Sequence, residues 1–177
     1  MADQRQEPRR RLGAIRIGGI AGVPVYVNWS WFVIALLIAY FVTPQVERIS
    51  PGLGVWAYVA GFAFAVLLYV SVLLHEIAHV LVARKYGLPV RSITLQLLGG
   101  ISEIEREPGT PWREFTVAVV GPLTSLVIGG VGFAVYQVQP LDNAVVELLV
   151  AELAFANLIV GVFNLVPGLP LDGGRIL

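Results

Sequence analysis

Both histidines of the chain, His75 and His79, lie four residues apart. On a helix such a pair projects from one face, a turn apart, so two imidazole nitrogens can share one metal ion. Glu76 follows His75 directly and stands one position round the helix, near such a metal but free of it. A carboxylate there can accept a proton from an activated water and later pass it to a leaving amine, the chemistry of the H-E-x-x-H pattern. A zinc ion used this way takes three protein ligands and keeps one position open. The sequence holds no cysteine and no further histidine, so the third ligand has to be a carboxylate. The extended soluble pattern needs a glycine and a third histidine downstream, where this chain has Val82 and Lys85.

The elements that must position these groups are apolar. The motif sits in LLYVSVLLHEIAHVLVARK, residues 67–85. Across 177 residues the hydrophobic share is 56%, the charged share 14% and the mean hydropathy +0.77. A soluble domain carries about a quarter charged residues, so the composition points to an integral membrane protein. Net charge is zero, which argues against a nucleic-acid partner. A charged group at mid-membrane costs about 2.5–3.5 kcal/mol on insertion scales, so ionisable residues there read as functional. The bland reading is a polar cluster that glues helices together.

Four runs reach the roughly 20 apolar residues that a bilayer crossing needs. They cover about 23–43, 54–83, 116–136 and 144–166. The first lacks a small-residue cleavage site and reads as a retained span rather than a signal peptide. Eleven of the twelve Lys and Arg fall on one side of this arrangement. They are Arg5, Arg9, Arg10, Arg11 and Arg16 before the first span, Arg84, Lys85, Arg91, Arg106 and Arg113 between the second and third, and Arg175 after the fourth. Arg48 is the exception. The positive-inside rule makes that side cytoplasmic and puts both termini inside. Trp29, Trp31, Trp56 and Trp112 stand at span ends, as interfacial aromatics do. His75 precedes Arg84 by nine residues, which on a helix places it roughly 13 Å inside the cytoplasmic boundary.

Between the second and third spans, SITLQLLGGISEIE (92–105) alternates apolar and polar residues and is interrupted by Gly99-Gly100. This predicts a cytoplasmic-side β-hairpin with the glycine pair at its turn. The piece before the first span, AIRIGGIAGVPVYVNW, reads as short extended segments able to pair with that hairpin. The expected fold is thus a membrane all-α unit of four transmembrane helices with a small sheet, forming one embedded domain over 1–177.

Asp172 is the best-placed carboxylate. It lies in FNLVPGLPLDGGR (163–175), just past the inner end of the fourth span. Pro167, Pro170, Gly173 and Gly174 forbid regular helix there, and irregular backbone at that depth is tolerated where it lines a wet cavity. A plain Asp-Gly turn explains the same residues. Asn164, a short segment earlier, can donate to a developing oxyanion. Glu147 and Glu152 lie toward the outer half of the span, away from His75, and the spacing gives them no role.

Three stretches together resemble the site-2 protease family of intramembrane zinc metalloproteases. HEIAH at 75–79 is similar to its zinc motif, VVGPLTS at 119–125 to its small-residue Gly-Pro segment, and FNLVPGLPLDGG at 163–174 to its second signature. The resemblance runs from about residue 70 to the end. It implies His75, His79 and Asp172 as zinc ligands, Glu76 as general base and Asn164 near the substrate carbonyl. The entrance VPVYVNWSW resembles the bacterial and archaeal branch, where histidine often stands at the position of Asn28. The chain stops just after Arg175, so the resemblance also implies a truncated membrane domain.

The expected activity is hydrolysis of peptide bonds in or near transmembrane segments of a substrate protein, as in regulated intramembrane proteolysis, with Zn2+ as cofactor. The Gly99-Gly100 hairpin offers the unwound substrate an edge to join as a strand. The expected place is a prokaryotic inner membrane, crossed several times, with the N-terminus in the cytoplasm. Two rival readings use the same residues: a membrane metal transporter, and a non-catalytic membrane scaffold.

Overall fold

The computed structural model describes residues 13–96, 99–104, 109–138, 141–168 and 171–175. Arg5, Arg9, Arg10, Arg11, Glu105, Arg106 and Pro170 lie outside the described residues. The order of elements is β1 (Ala14–Ile20), β2 (Val23–Asn28), α1 (Ser30–Ile49), α2 (Val55–Lys85), β3 (Val90–Gln96), β4 (Gly99–Ile104), α3 (Pro111–Val138) and α4 (Ala144–Leu165). A 3-10 turn, η1 (Asp172–Arg175), follows.

Among the described residues, four α-helices are long and apolar enough to cross a membrane. Their outward faces are apolar as well: Leu36, Phe41, Val127 and Phe155 are all more than 60% exposed. So large a contiguous apolar surface suits lipid rather than water.

The first helix begins later than composition suggests. Residues 23–28, counted in the first span by hydropathy and in an extended segment by their Gly and Pro punctuation, form β2. VPVYVN alternates strictly between a buried and a half-buried side, the two-residue period of a strand with one packed face. A short apolar run cannot be told from helix by hydropathy alone. Asn28 ends the strand, and its Oδ1 accepts from the Ser30 amide at 3.0 Å, satisfying a free donor at the start of α1. The other helices lie within a few residues of their expected runs, with α3 starting earlier, at Pro111. Asn143 caps α4 by accepting from the amides of Val145 and Val146. Glu147 falls in the first turn of α4, where the helix dipole favours an acid.

The sheet order is β1-β2-β3-β4. β1 and β2 are antiparallel, β2 and β3 parallel, β3 and β4 antiparallel. The N-terminal strands therefore do pair with the hairpin. One row of the register reads Ile15, Val27, Leu95, Gly100. Val25 and Ile93 pack on Val80 of α2, and Val27 and Leu95 on Tyr69. The sheet thus lies against the half of α2 that carries the histidines.

The glycine pair departs from expectation. Gly99 and Gly100 are paired residues of β4, opposite Gln96 and Leu95, and not the turn between the strands. The reason for glycine at 100 is steric and appears at the site.

Candidate metal centre

His75, Glu76 and His79 occupy the C-terminal half of α2, and each is less than 8% exposed. Helical spacing aims both imidazoles toward α3. There Gly121 leaves the space they fill: a Cβ at that position would collide with Nε2 of His79 and lie 2.6 Å from Nε2 of His75. α3 also holds the far side of each ring. His79 Nδ1 lies 2.6 Å from the Val117 carbonyl oxygen, and His75 Nδ1 lies 2.9 Å from Ser125 Oγ. A carbonyl only accepts, so His79 Nδ1 carries a proton and donates it. The neutral ring then presents the lone pair of Nε2.

The third arm comes from beyond α4. The helix ends at Leu165 because Val166 precedes Pro167 and takes the extended conformation such a residue prefers (φ −66°, ψ 129°). The chain turns back through hydrogen bonds from Leu171 N to Gly168 O and from Gly174 N to Leu171 O. Gly173 packs against the end of α4 so closely that a Cβ there would strike the Val166 carbonyl and approach the Leu165 oxygen to 2.7 Å. This close return sets Asp172 over the histidines.

Asp172 Oδ2 is 3.0 Å from His75 Nε2 and 3.2 Å from His79 Nε2, and the two Nε2 atoms are 3.1 Å apart. Ligands of a tetrahedral zinc at about 2.0–2.1 Å stand about 3.3 Å from one another. The three atoms thus form a triangle of nearly the size that one face of such a site requires. Two lone-pair nitrogens and a carboxylate oxygen at this spacing are mutually repulsive unless a proton or a cation sits among them. His75, His79 and Asp172 can therefore hold a metal ion, and the donor set of two imidazoles and a carboxylate suits zinc. Burial by itself pushes the Asp172 carboxyl up. Without a metal, a proton on each facing imidazole nitrogen makes His75 and His79 donors to Asp172, and those bonds and charges outweigh burial and hold the carboxyl well below the usual carboxylate range.

Glu76 faces another way. Its side chain lies against β4, where a Cβ on Gly100 would overlap its Cγ and come within 2.7 Å of Oε1. This is why glycine stands in a strand, where it usually weakens pairing. Ser102 Oγ donates to Glu76 Oε2 at 2.6 Å. A cleft of roughly 480 Å³ opens beside these groups, and His75, Glu76, Asp172, Asn164, Gly99 and Gly100 all line it. Of the residues singled out from the sequence, only His79 is missing from the lining, and it joins the set through Asp172. One amide hydrogen of Asn164 is spent on the Val160 carbonyl at 3.0 Å. The amide nitrogen carries two hydrogens, so a second remains to donate.

Val117, Gly121, Ser125 and Ser102 carry no chemistry that sequence patterning flags. Gly121 and Ser125 do fall in VVGPLTS, but a small residue in a membrane helix reads equally as helix packing. The signal that separates the two roles is their register against α2, which appears only in three dimensions.

Known proteins resemble this chain in sequence and fold. Residues 63–147 match peptidase family M50. A Synechocystis protein provisionally named a zinc metalloprotease is 40% identical over 163 residues, which are 92% of this chain and 43% of that protein. The zinc metalloprotease MJ0392 of Methanocaldococcus jannaschii is 34% identical over 164 residues, 93% of this chain and 44% of that one. The solved site-2 protease from Methanocaldococcus jannaschii superposes with a TM-score of 0.64 at 31% identity, covering 92% of this chain and 69% of that chain. The chain belongs to the site-2 protease family. It spans about two fifths of the length of the curated relatives it matches.

Proposed function

We propose that the chain is the catalytic core of an intramembrane zinc metalloprotease, one embedded unit that hydrolyses peptide bonds in or near transmembrane segments of substrate proteins. The observation that carries this reading is the near-equilateral triangle of His75 Nε2, His79 Nε2 and Asp172 Oδ2, with the Glu76 carboxylate beside it on the wall of one cleft. His75, His79 and Asp172 are the proposed ligands. Zinc held there supplies Lewis acidity, polarising a carbonyl and making water acidic enough to react near neutral pH.

The protein groups do the rest. Glu76 takes a proton from the attacking water as its oxygen bonds to the scissile carbonyl carbon. It then delivers that proton to the amide nitrogen as the C–N bond breaks, leaving a carboxylate and an amine. Asn164 lines the same cleft, and its second amide hydrogen is available to donate to the carbonyl oxygen as charge develops on it. Val117 and Ser125 fix the rings from behind.

A transmembrane substrate protects its peptide bonds within its own helix, so a stretch must unwind before it can be cut. β4 is an edge of the sheet, and its first residues line the cleft. An unwound segment added along β4 would regain its backbone hydrogen bonds beside Glu76. The basic residues support a multi-pass placement in a prokaryotic inner membrane with the N-terminus cytoplasmic, the site lying toward the cytoplasmic face. The proposed role is in regulated intramembrane proteolysis.

The test is to purify the protein in detergent or nanodiscs, measure zinc by atomic emission, and assay cleavage of a single-span substrate. One zinc per chain with cleavage abolished by a chelator is expected. Metal passage across vesicles without proteolysis would replace this reading with a transporter.

A further inference from the structure

We infer that Ser102 is a positioning residue for Glu76: its hydroxyl fixes the rotamer in which the carboxylate meets water and leaving group. This rests on the proposed role of Glu76 as general base.

Strand parity carries the argument. Gly100 pairs with Leu95 and Ser102 with Ile93. Leu95 and Ile93 are buried at 4% and 0%, packed toward α2. Cross-strand partners point to the same side of a sheet, so Gly100 and Ser102 face α2 as well. Ile101 between them is 53% exposed on the other side. β4 therefore meets the glutamate at two points. Gly100 has no side chain, which lets the strand come into contact with Cγ and Cδ. At that closeness serine, the shortest hydroxyl side chain, reaches Oε2 at 2.6 Å. A hydroxyl proton on a carboxylate is a charge-assisted bond, short and about twice as strong as a neutral one. Among the described residues no donor is bonded to Oε1, so one oxygen is held and the other is left to the chemistry.

A glutamate side chain has three rotatable bonds, and a base displaced by about 1 Å loses on the order of a hundred-fold in rate. Three forms test the inference: the unaltered protein, Ser102→Ala and Ser102→Thr. Ser102→Ala should lower kcat roughly ten-fold or more at near-constant KM, with zinc content unchanged. Ser102→Thr keeps the hydroxyl and should recover most of the rate. Infrared difference spectra give a readout independent of turnover. The carboxylate band that Glu76→Gln removes should shift in Ser102→Ala and return in Ser102→Thr. An unshifted band with full kcat in Ser102→Ala overturns the inference. So does equal impairment of both variants, which would mean strand fit rather than the hydroxyl. A protein that never cleaves its substrate refutes the protease reading, while the band shift still decides the Ser102–Glu76 bond.

Discussion

Asp172 Oδ2 lies 3.0 Å from His75 Nε2, although 97 residues of chain separate them. The approach depends on two backbone features at the end of α4. Pro167 stops the helix, and Gly173 lets the returning chain rest on the exposed carbonyls of Leu165 and Val166. Neither residue is one of the three candidate ligands, yet together they place the carboxylate.

Replacing Asp172 by Ala is expected to abolish stoichiometric zinc. Partners that only support a ligand cost about 10–100-fold in metal affinity when removed, and a direct ligand costs more. Zinc analysis of the purified variant checks this, and unchanged content would dismiss Asp172 as the third ligand.

Glu76→Gln should retain zinc and lose turnover. A general base contributes about 10²–10⁴-fold, so the residual kcat should fall by that factor with metal content intact. Full cleavage by the variant would remove Glu76 from the mechanism.

Gly121→Ala separates helix stability from site integrity. In an ordinary helix interior the change gains up to about 1 kcal/mol. Here the added Cβ meets both imidazoles. The expected protein is helical by circular dichroism and binds little zinc. Normal zinc affinity would show that the rings do not sit where the structure places them.

Ser125→Ala removes the partner of His75 Nδ1. Zinc affinity is expected to drop about 10–100-fold, without loss of the fold. Competition with a calibrated chelator measures it.

Acid should release the metal through the imidazoles and not through Asp172. A carboxyl whose pKa is lowered keeps its charge as the pH falls and loses it only on passing the lowered value. Asp172 therefore stays ionised through mild acid. Imidazole ordinarily titrates between about pH 5 and 8, and protons compete with metal for its lone pair. Bound zinc carries the loss below that window, because metal and protons compete for the same lone pairs. Release should take up two protons per zinc, one for each imidazole, and a third would show that Asp172 titrates with them.

Much of the site was legible because its chemistry uses rare residues. Two histidines in an apolar chain, four apart, leave few other readings. The missing cysteine and third histidine then narrow the search to carboxylates. The fold was legible where hydropathy runs past twenty residues, and less so where runs are short. VPVYVN carries two readings in its sequence, the start of the first span by hydropathy and an extended segment by its Gly and Pro punctuation, and the structure takes the second. Glycine marks both turns and close contacts, and the pair holds one of each: Gly99 has the positive φ expected beside a turn, and Gly100 meets Glu76.

The sequence by itself determined the helix count, the HEIAH face and the breaking of the chain after α4, since these follow from local composition and backbone sterics. Tertiary structure alone decided how Asp172 reaches the histidines, how Gly121 makes room for them, and that Ser102 and Gly100 meet Glu76. Those contacts join elements far apart in the chain. Their distances depend on how α2, α3 and β4 pack, and no local pattern encodes that.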